Sequence, residues 1–140
     1  MSYASLSIAT ALQRDSTGFL GMMARMDRGL RHIALKTRDL GRTERFYVDV
    51  LGLRTAFPHE GMIFLETPGG RDLLNFIGSR RTFDPAAGGL DHFGLHFPRA
   101  EWKKVCARVK RAGVRVTGRR NGTSIYIEDP NGYTVELYCD

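Results

Sequence analysis

The sequence predicts an α+β fold made of two tandem copies of one unit, each read as strand, helix, strand, strand, strand. Three observations carry this. The stretches "LRHIALKT" (30–37) and "LDHFGLHF" (90–97) both run Leu, charged, His, apolar, small, Leu, then a basic residue or His. Each precedes a segment of helical spacing that stops at a glycine, Gly52 or Gly113, the residue expected just past a helix C-terminus. After each helix come three short apolar runs separated by turn residues.

Taken in order, Met1 to Arg28 is rich in Ser, Ala and Met and shows no strand alternation. It lacks the charged start and continuous apolar stretch of a signal peptide, so a flexible extension without chemistry is expected there. A single domain is expected over 29–140, with module one at 30–78, a linker at 79–89 and module two at 90–139. The first helix, near Arg42 to Leu51, places Phe46, Tyr47, Val50 and Leu51 on one side. Strands are then expected at Leu53 to Phe57, Met62 to Glu66 and Asp72 to Ile77. The second helix, near Arg99 to Ala112, carries Trp102, Val105 and Val109 at helical spacing, and its strands are expected at Val114 to Thr117, Thr123 to Glu128 and Tyr133 to Cys139. Asn121-Gly122 and Pro130-Asn131-Gly132 supply turns.

Alternation assigns the faces, because successive strand side chains point oppositely. One face collects Ile33, Leu35, Ile63, Leu65, Leu74, Phe76, Phe93, Leu95, Ile125, Ile127, Val135 and Leu137. It is apolar throughout and must pack on the helices. The other face gathers His32, Lys36, Phe64, Asn75, His92, His96, Ser124, Tyr126, Glu136 and Tyr138 with small residues between them, a mixture that suits a cavity. A charge inside the run Tyr133 to Leu137 is thereby explained, since Val135 and Leu137 face the helices and Glu136 faces away.

The bulk composition narrows the function classes. A chain of 140 residues with 42% hydrophobic and 26% charged residues has the balance of a soluble globular domain. Two cysteines without close spacing, Cys106 and Cys139, suggest free thiols in a reducing compartment. No apolar stretch approaches the roughly 18 residues that span a membrane, and a cytoplasmic location is expected. The net charge of +6 owes much to Lys103, Lys104, Arg108, Lys110 and Arg111. These bases fall opposite the apolar stripe of the second helix, on a solvated face, and no zinc-finger spacing or aromatic-interleaved basic loop points to nucleic acid.

The repeated modules, the His opening each, the helix end at Phe46, Tyr47, Leu51, Gly52 and Leu53, and the ending "IYIEDPNGYTVELY" together resemble the vicinal oxygen chelate superfamily. That superfamily includes glyoxalase I, extradiol dioxygenases, fosfomycin-resistance enzymes and bleomycin-resistance proteins. The resemblance implies curved mixed sheets around a metal and substrate cavity, helices on the outer face, and a homodimer. It implies His32, His92 and Glu136 as metal ligands, which alternation had already set on the cavity face. Two imidazoles and one carboxylate with open positions suit Fe(II), and also accept Mn(II), Ni(II), Co(II) or Zn(II).

The interval from His92 to Glu136 is one residue longer than that from His32 to Asn75. Asn75 is therefore the counterpart of Glu136 if one turn residue is missing. The same corner in glyoxalase I resembles a Glu that binds metal and moves a proton, which Asn cannot do. Tyr126 stands where extradiol enzymes have an active-site Tyr, while their acid/base His has no equivalent before Asn75, where Asp72 stands. We read Tyr126 and His96 as the catalytic candidates, and Asn75, Lys36, Phe64 and Tyr138 as substrate-contacting groups. The expected activity is a metal-dependent lyase or isomerase acting on a small molecule with vicinal oxygens. Fe(II) ring cleavage and metal-free binding of a drug or metabolite are the alternatives.

Overall fold

A computed structural model describes residues 29–140; the extension expected over 1–28 lies outside the described residues. Among the described residues two four-stranded sheets form, with strand orders β1-β4-β3-β2 and β5-β8-β7-β6. In the first, β1 (His32–Thr37) lies parallel to β4 (Leu73–Gly78), which is followed by antiparallel β3 (Met62–Glu66) and β2 (Arg54–His59). In the second, β5 (Phe93–Phe97) is parallel to β8 (Thr134–Cys139), followed by β7 (Ser124–Glu128) and β6 (Val116–Arg120). The two-copy reading of the sequence is realised, and the faces follow alternation. Leu65, Phe76, Ile127, Val135 and Leu137 are fully buried with Tyr47, Val105 and Val109 from the helical segments. Each large side chain so buried contributes about 1.5–3 kcal/mol.

The helices show where local chemistry refines the pattern. Helix α1 (Leu40–Arg45) begins two residues before the expected start, because the Asp39 side chain accepts from the Arg42 N–H and caps it. A π-helical turn at Phe46–Val50 then replaces regular helix. Gly52 ends it at φ 82°, and the equivalent Gly113, after α2 (Arg99–Arg111), has φ 69°. Arg108 departs from the expected solvated face of α2. Its Nε donates to the Val50 carbonyl at 2.8 Å, filling an acceptor left open where the first helical segment ends. The neighbouring Lys103, Lys104, Lys110 and Arg111 are exposed as expected.

A polar junction joins the modules. Asp129, in the turn between β7 and β8, accepts from the N–H groups of Asn131 and Tyr133 on Oδ1 and from the Tyr47 hydroxyl on Oδ2 at 2.8 Å. Thr37 donates to Asn131 Oδ1 at 2.6 Å, Asn131 Nδ2 donates to Thr43, and the Tyr133 hydroxyl bridges the N–H and C=O of Lys36. Both Tyr47 and Asp129 are buried.

Replacing Tyr47 by Phe leaves Asp129 Oδ2 with one donor fewer in a buried place, and urea unfolding should report a loss of about 1–3 kcal/mol. An unchanged midpoint would mean that the junction holds nothing. Burial raises the Asp129 carboxyl above the ordinary value, against the lowering effect of its hydrogen bonds. A raised folded value makes its contribution to stability fullest in acid and lost as pH rises through the carboxylate range. The stability of the wild type relative to Asp129→Asn should therefore fall as pH rises; a difference that grew with pH would show the hydrogen bonds outweighing burial.

Candidate functional site

Three adjoining strands of the second sheet bring together one cluster of chemistry-bearing side chains. The register sets Gly94 of β5 and Tyr126 of β7 on either side of Glu136 of β8, and His92 sits just before β5. His92 Nε2 lies 3.4 Å from Glu136 Oε2, and the His92 ring meets the Tyr126 ring edge-on with centroids 5.3 Å apart. On its other side His92 Nδ1 lies 2.5 Å from Asp91 Oδ2. Each ring nitrogen of His92 thus faces a carboxylate oxygen, Asp91 on the solvent side and Glu136 on the buried side.

Two glycines make the cluster possible. A side chain at Gly94 would begin 2.9 Å from the Tyr138 ring and 3.7 Å from Glu136 Oε2. One at Gly118, opposite Tyr126, would come within 3.2 Å of the Tyr126 ring. With no side chain at either position, the Tyr138 and Tyr126 rings keep their places beside these strands.

Glu136 is buried, and its other oxygen is fully engaged: Oε1 accepts from Ser124 Oγ at 2.6 Å and from Arg120 Nη2 at 2.7 Å. Its carboxyl is held below the ordinary value, chiefly by the Ser124 hydrogen bond; burial opposes this, and Tyr126 and Arg120 add to it. Glu136 is thus an anion with one oxygen tied and one facing an imidazole nitrogen. Donor atoms sharing an ion at about 2.0–2.2 Å lie roughly 3–3.5 Å apart, and the His92–Glu136 pair has that spacing. An imidazole nitrogen and a carboxylate oxygen at this spacing are two donors that a divalent ion could share if Nε2 is unprotonated; a proton on Nε2 would account for the contact equally.

The other expected site residues are placed apart from this pair. Among the described residues no group of three or more His, Cys, Asp and Glu side chains that could hold a metal forms within one chain, so His32 does not join His92 and Glu136 there. It is exposed at the start of β1, as is Lys36 farther along that strand. Phe64 stacks on Phe57 with centroids 4.4 Å apart. His96, at the other end of β5 from His92, stacks on Tyr138 and bonds Asp140 at 2.9 Å. Asn75 pairs with Ala34 and Phe64 across the first sheet, is 4% exposed, and its Oδ1 has no hydrogen-bond partner. Cys106 and Cys139 are free, with burial raising the Cys106 thiol, which makes it a poor nucleophile.

Asp91, Ser124 and Arg120 were not assigned roles from the sequence. Ser124 was legible as a neighbour of Glu136 by alternation. Arg120 needed the hairpin register, which sets it directly opposite Ser124.

The paired βαβββ modules, each with its own mixed four-stranded sheet and helical segment, define a protein of the two-module α+β class. A profile of the Glyoxalase/Bleomycin resistance protein/Dioxygenase superfamily matches residues 29–137, and the chain belongs to that superfamily. It is 32% identical over 121 residues to biphenyl-2,3-diol 1,2-dioxygenase 3 of Rhodococcus globerulus, a match covering 79% of this chain and 63% of the dioxygenase. It thus spans less than two thirds of that relative. Over 115 residues it is 24% identical to glutathione transferase FosA of Serratia marcescens, covering 81% of this chain and 82% of FosA. Among solved structures, lactoylglutathione lyase of Agrobacterium tumefaciens superposes with a TM-score of 0.62 at 29% identity, over 81% of this chain and 94% of the lyase. A glyoxalase/dioxygenase of Nostoc punctiforme superposes with a TM-score of 0.67 at 20% identity, over 81% and 91% of the two chains. No helix among the described residues is long and apolar enough to cross a membrane.

The orphaned Asn75 oxygen makes a prediction about stability. An unpaired buried acceptor costs about 1–3 kcal/mol, so Asn75→Leu, of similar shape, should raise the unfolding midpoint of the ligand-free protein. A lowered midpoint would show that Asn75 is a structural residue and not one kept for a ligand.

Proposed function

We propose that the protein is a divalent-metal-dependent enzyme acting on a small molecule with adjacent oxygens. The observation that supports it most is the single geometry of His92 Nε2, 3.4 Å from the carboxylate of Glu136 and backed on Nδ1 by Asp91. His92 and Glu136 would hold the ion, with His32 as third ligand. Fe(II), Mn(II), Ni(II), Co(II) and Zn(II) all suit two imidazoles and a carboxylate. Such an ion, when bound, polarises vicinal oxygens and stabilises enolate or alkoxide charge. Tyr126, against the His92 ring, orients the substrate, and the open Asn75 oxygen accepts a hydrogen bond from it.

The reaction we favour is that of a lyase or isomerase. The cluster contains no second histidine placed as an acid/base beside Glu136, since His96 bonds Asp140. The second reading, oxygen-dependent ring cleavage with Fe(II), is favoured by the 32% identity to a biphenyl-diol dioxygenase.

We further propose a homodimer in which His32 from a second copy completes the ligand set, because His32 stands apart from the pair within one chain. Elemental analysis beside Glu136→Gln tests the metal: the wild type should retain a divalent metal that the variant loses, and equal content would sink the proposal. Co-refolding His32→Ala with Glu136→Gln tests the sharing. Mixed dimers should regain metal through one intact site, whereas no recovery would place all ligands in one chain. Oxygen uptake with a catechol separates the two reactions, and ligand affinity unchanged by chelator would point to a metal-free binding protein.

A further inference from the structure

The carboxylate of Glu136 is held asymmetrically. Two donors reach the same oxygen, Oε1: Ser124 at 2.6 Å and Arg120 at 2.7 Å. The other oxygen, Oε2, faces His92. Both donors come from the two strands that flank the β6–β7 turn, where Arg120 pairs with Ser124, while Glu136 pairs across the sheet with Tyr126. Rotating the carboxylate to bring Oε1 toward His92 would break both hydrogen bonds at once. Ser124 is buried, whereas the Arg120 side chain is 60% exposed and lies on the edge strand of the sheet.

We infer that Arg120 and Ser124 are positioning residues that commit Oε1 of Glu136 to the protein, so that the site offers a cation one carboxylate oxygen. The inference rests on the metal reading above and adds a selection rule to it. Small ions with few ligands, such as Zn(II), bind single carboxylate oxygens at about 2.0–2.2 Å. Larger ions that take 6–8 oxygens gain from a carboxylate that offers both. A tied Oε1 therefore selects for the small ion.

The test is the ratio of Zn(II) to Ca(II) affinities of metal-free full-length protein, measured by calorimetric titration in the wild type, Arg120→Met, Arg120→Lys, Arg120→Met with Ser124→Ala, and Glu136→Gln. The ratio matters because removing the Arg120 charge eases the approach of both ions alike, and that effect cancels. In the double variant, the preference for Zn(II) should drop by about tenfold or more as the freed oxygen becomes available to Ca(II). Arg120→Met should move the same way by less, and Arg120→Lys, which keeps a donor, should stay near the wild type. Affinities that change in proportion, with the ratio constant across the set, would overturn the inference and leave the metal site standing. Wild-type affinities equal to those of Glu136→Gln would overturn the metal reading and the inference together.

Discussion

The turn 129–132 is the constraint on which the rest of the structure depends. Its Asp129 gathers two backbone N–H groups of its own turn on one oxygen and the Tyr47 hydroxyl of the first module on the other. One side chain thus shapes the entry into β8 and joins the modules. Register follows from it: a strand that entered one residue later would turn Glu136 toward the helices and expose Val135 and Leu137. The Tyr133 hydroxyl, held on the backbone of Lys36, extends the junction to β1, the strand that begins with His32. The turn that aims one proposed ligand thereby also anchors the strand that carries another.

The apolar faces of the sheets and the helices supply the burial that drives folding, and the opposite faces give back part of that stability. Buried Glu136 remains charged because Ser124 and Arg120 solvate it in place of water. Asn75 has no such help and keeps an unpaired acceptor. Polar groups set in this way against their own stability are expected where a ligand is to be met.

Most of the fold was legible in the sequence because its signals are local. Alternation depends on neighbouring residues only, and it correctly separated Val135 and Leu137 from Glu136. Glycine past each helix needs only the conformation that Gly52 and Gly113 adopt. What was missed depends on contacts between distant residues or on register. Arg108 reads as one more surface base until the open carbonyl of Val50 is placed beside it. The π-helical turn at Phe46–Val50 breaks a periodicity too briefly for the pattern to show it. No pattern in the sequence singles out Asp91, and only the contact to Nδ1 brings it to His92.

The same distinction explains why the two corners of the repeat diverged. Asn75 and Glu136 occupy equivalent places, opposite Phe64 in one sheet and Tyr126 in the other. Two residues upstream of those partners stand Met62 and Ser124, and across each hairpin from these stand His59 and Arg120. Met62 has no proton to donate, and His59 is turned to the Glu60 carbonyl. A carboxylate at position 75 would therefore be buried without the donors that hold Glu136 ionised, a heavy penalty for an unpaired charge. A neutral amide in the first module and a carboxylate in the second are each the residue that their own hairpin can support. The module that keeps Ser124 and Arg120 is the one able to hold a buried anion.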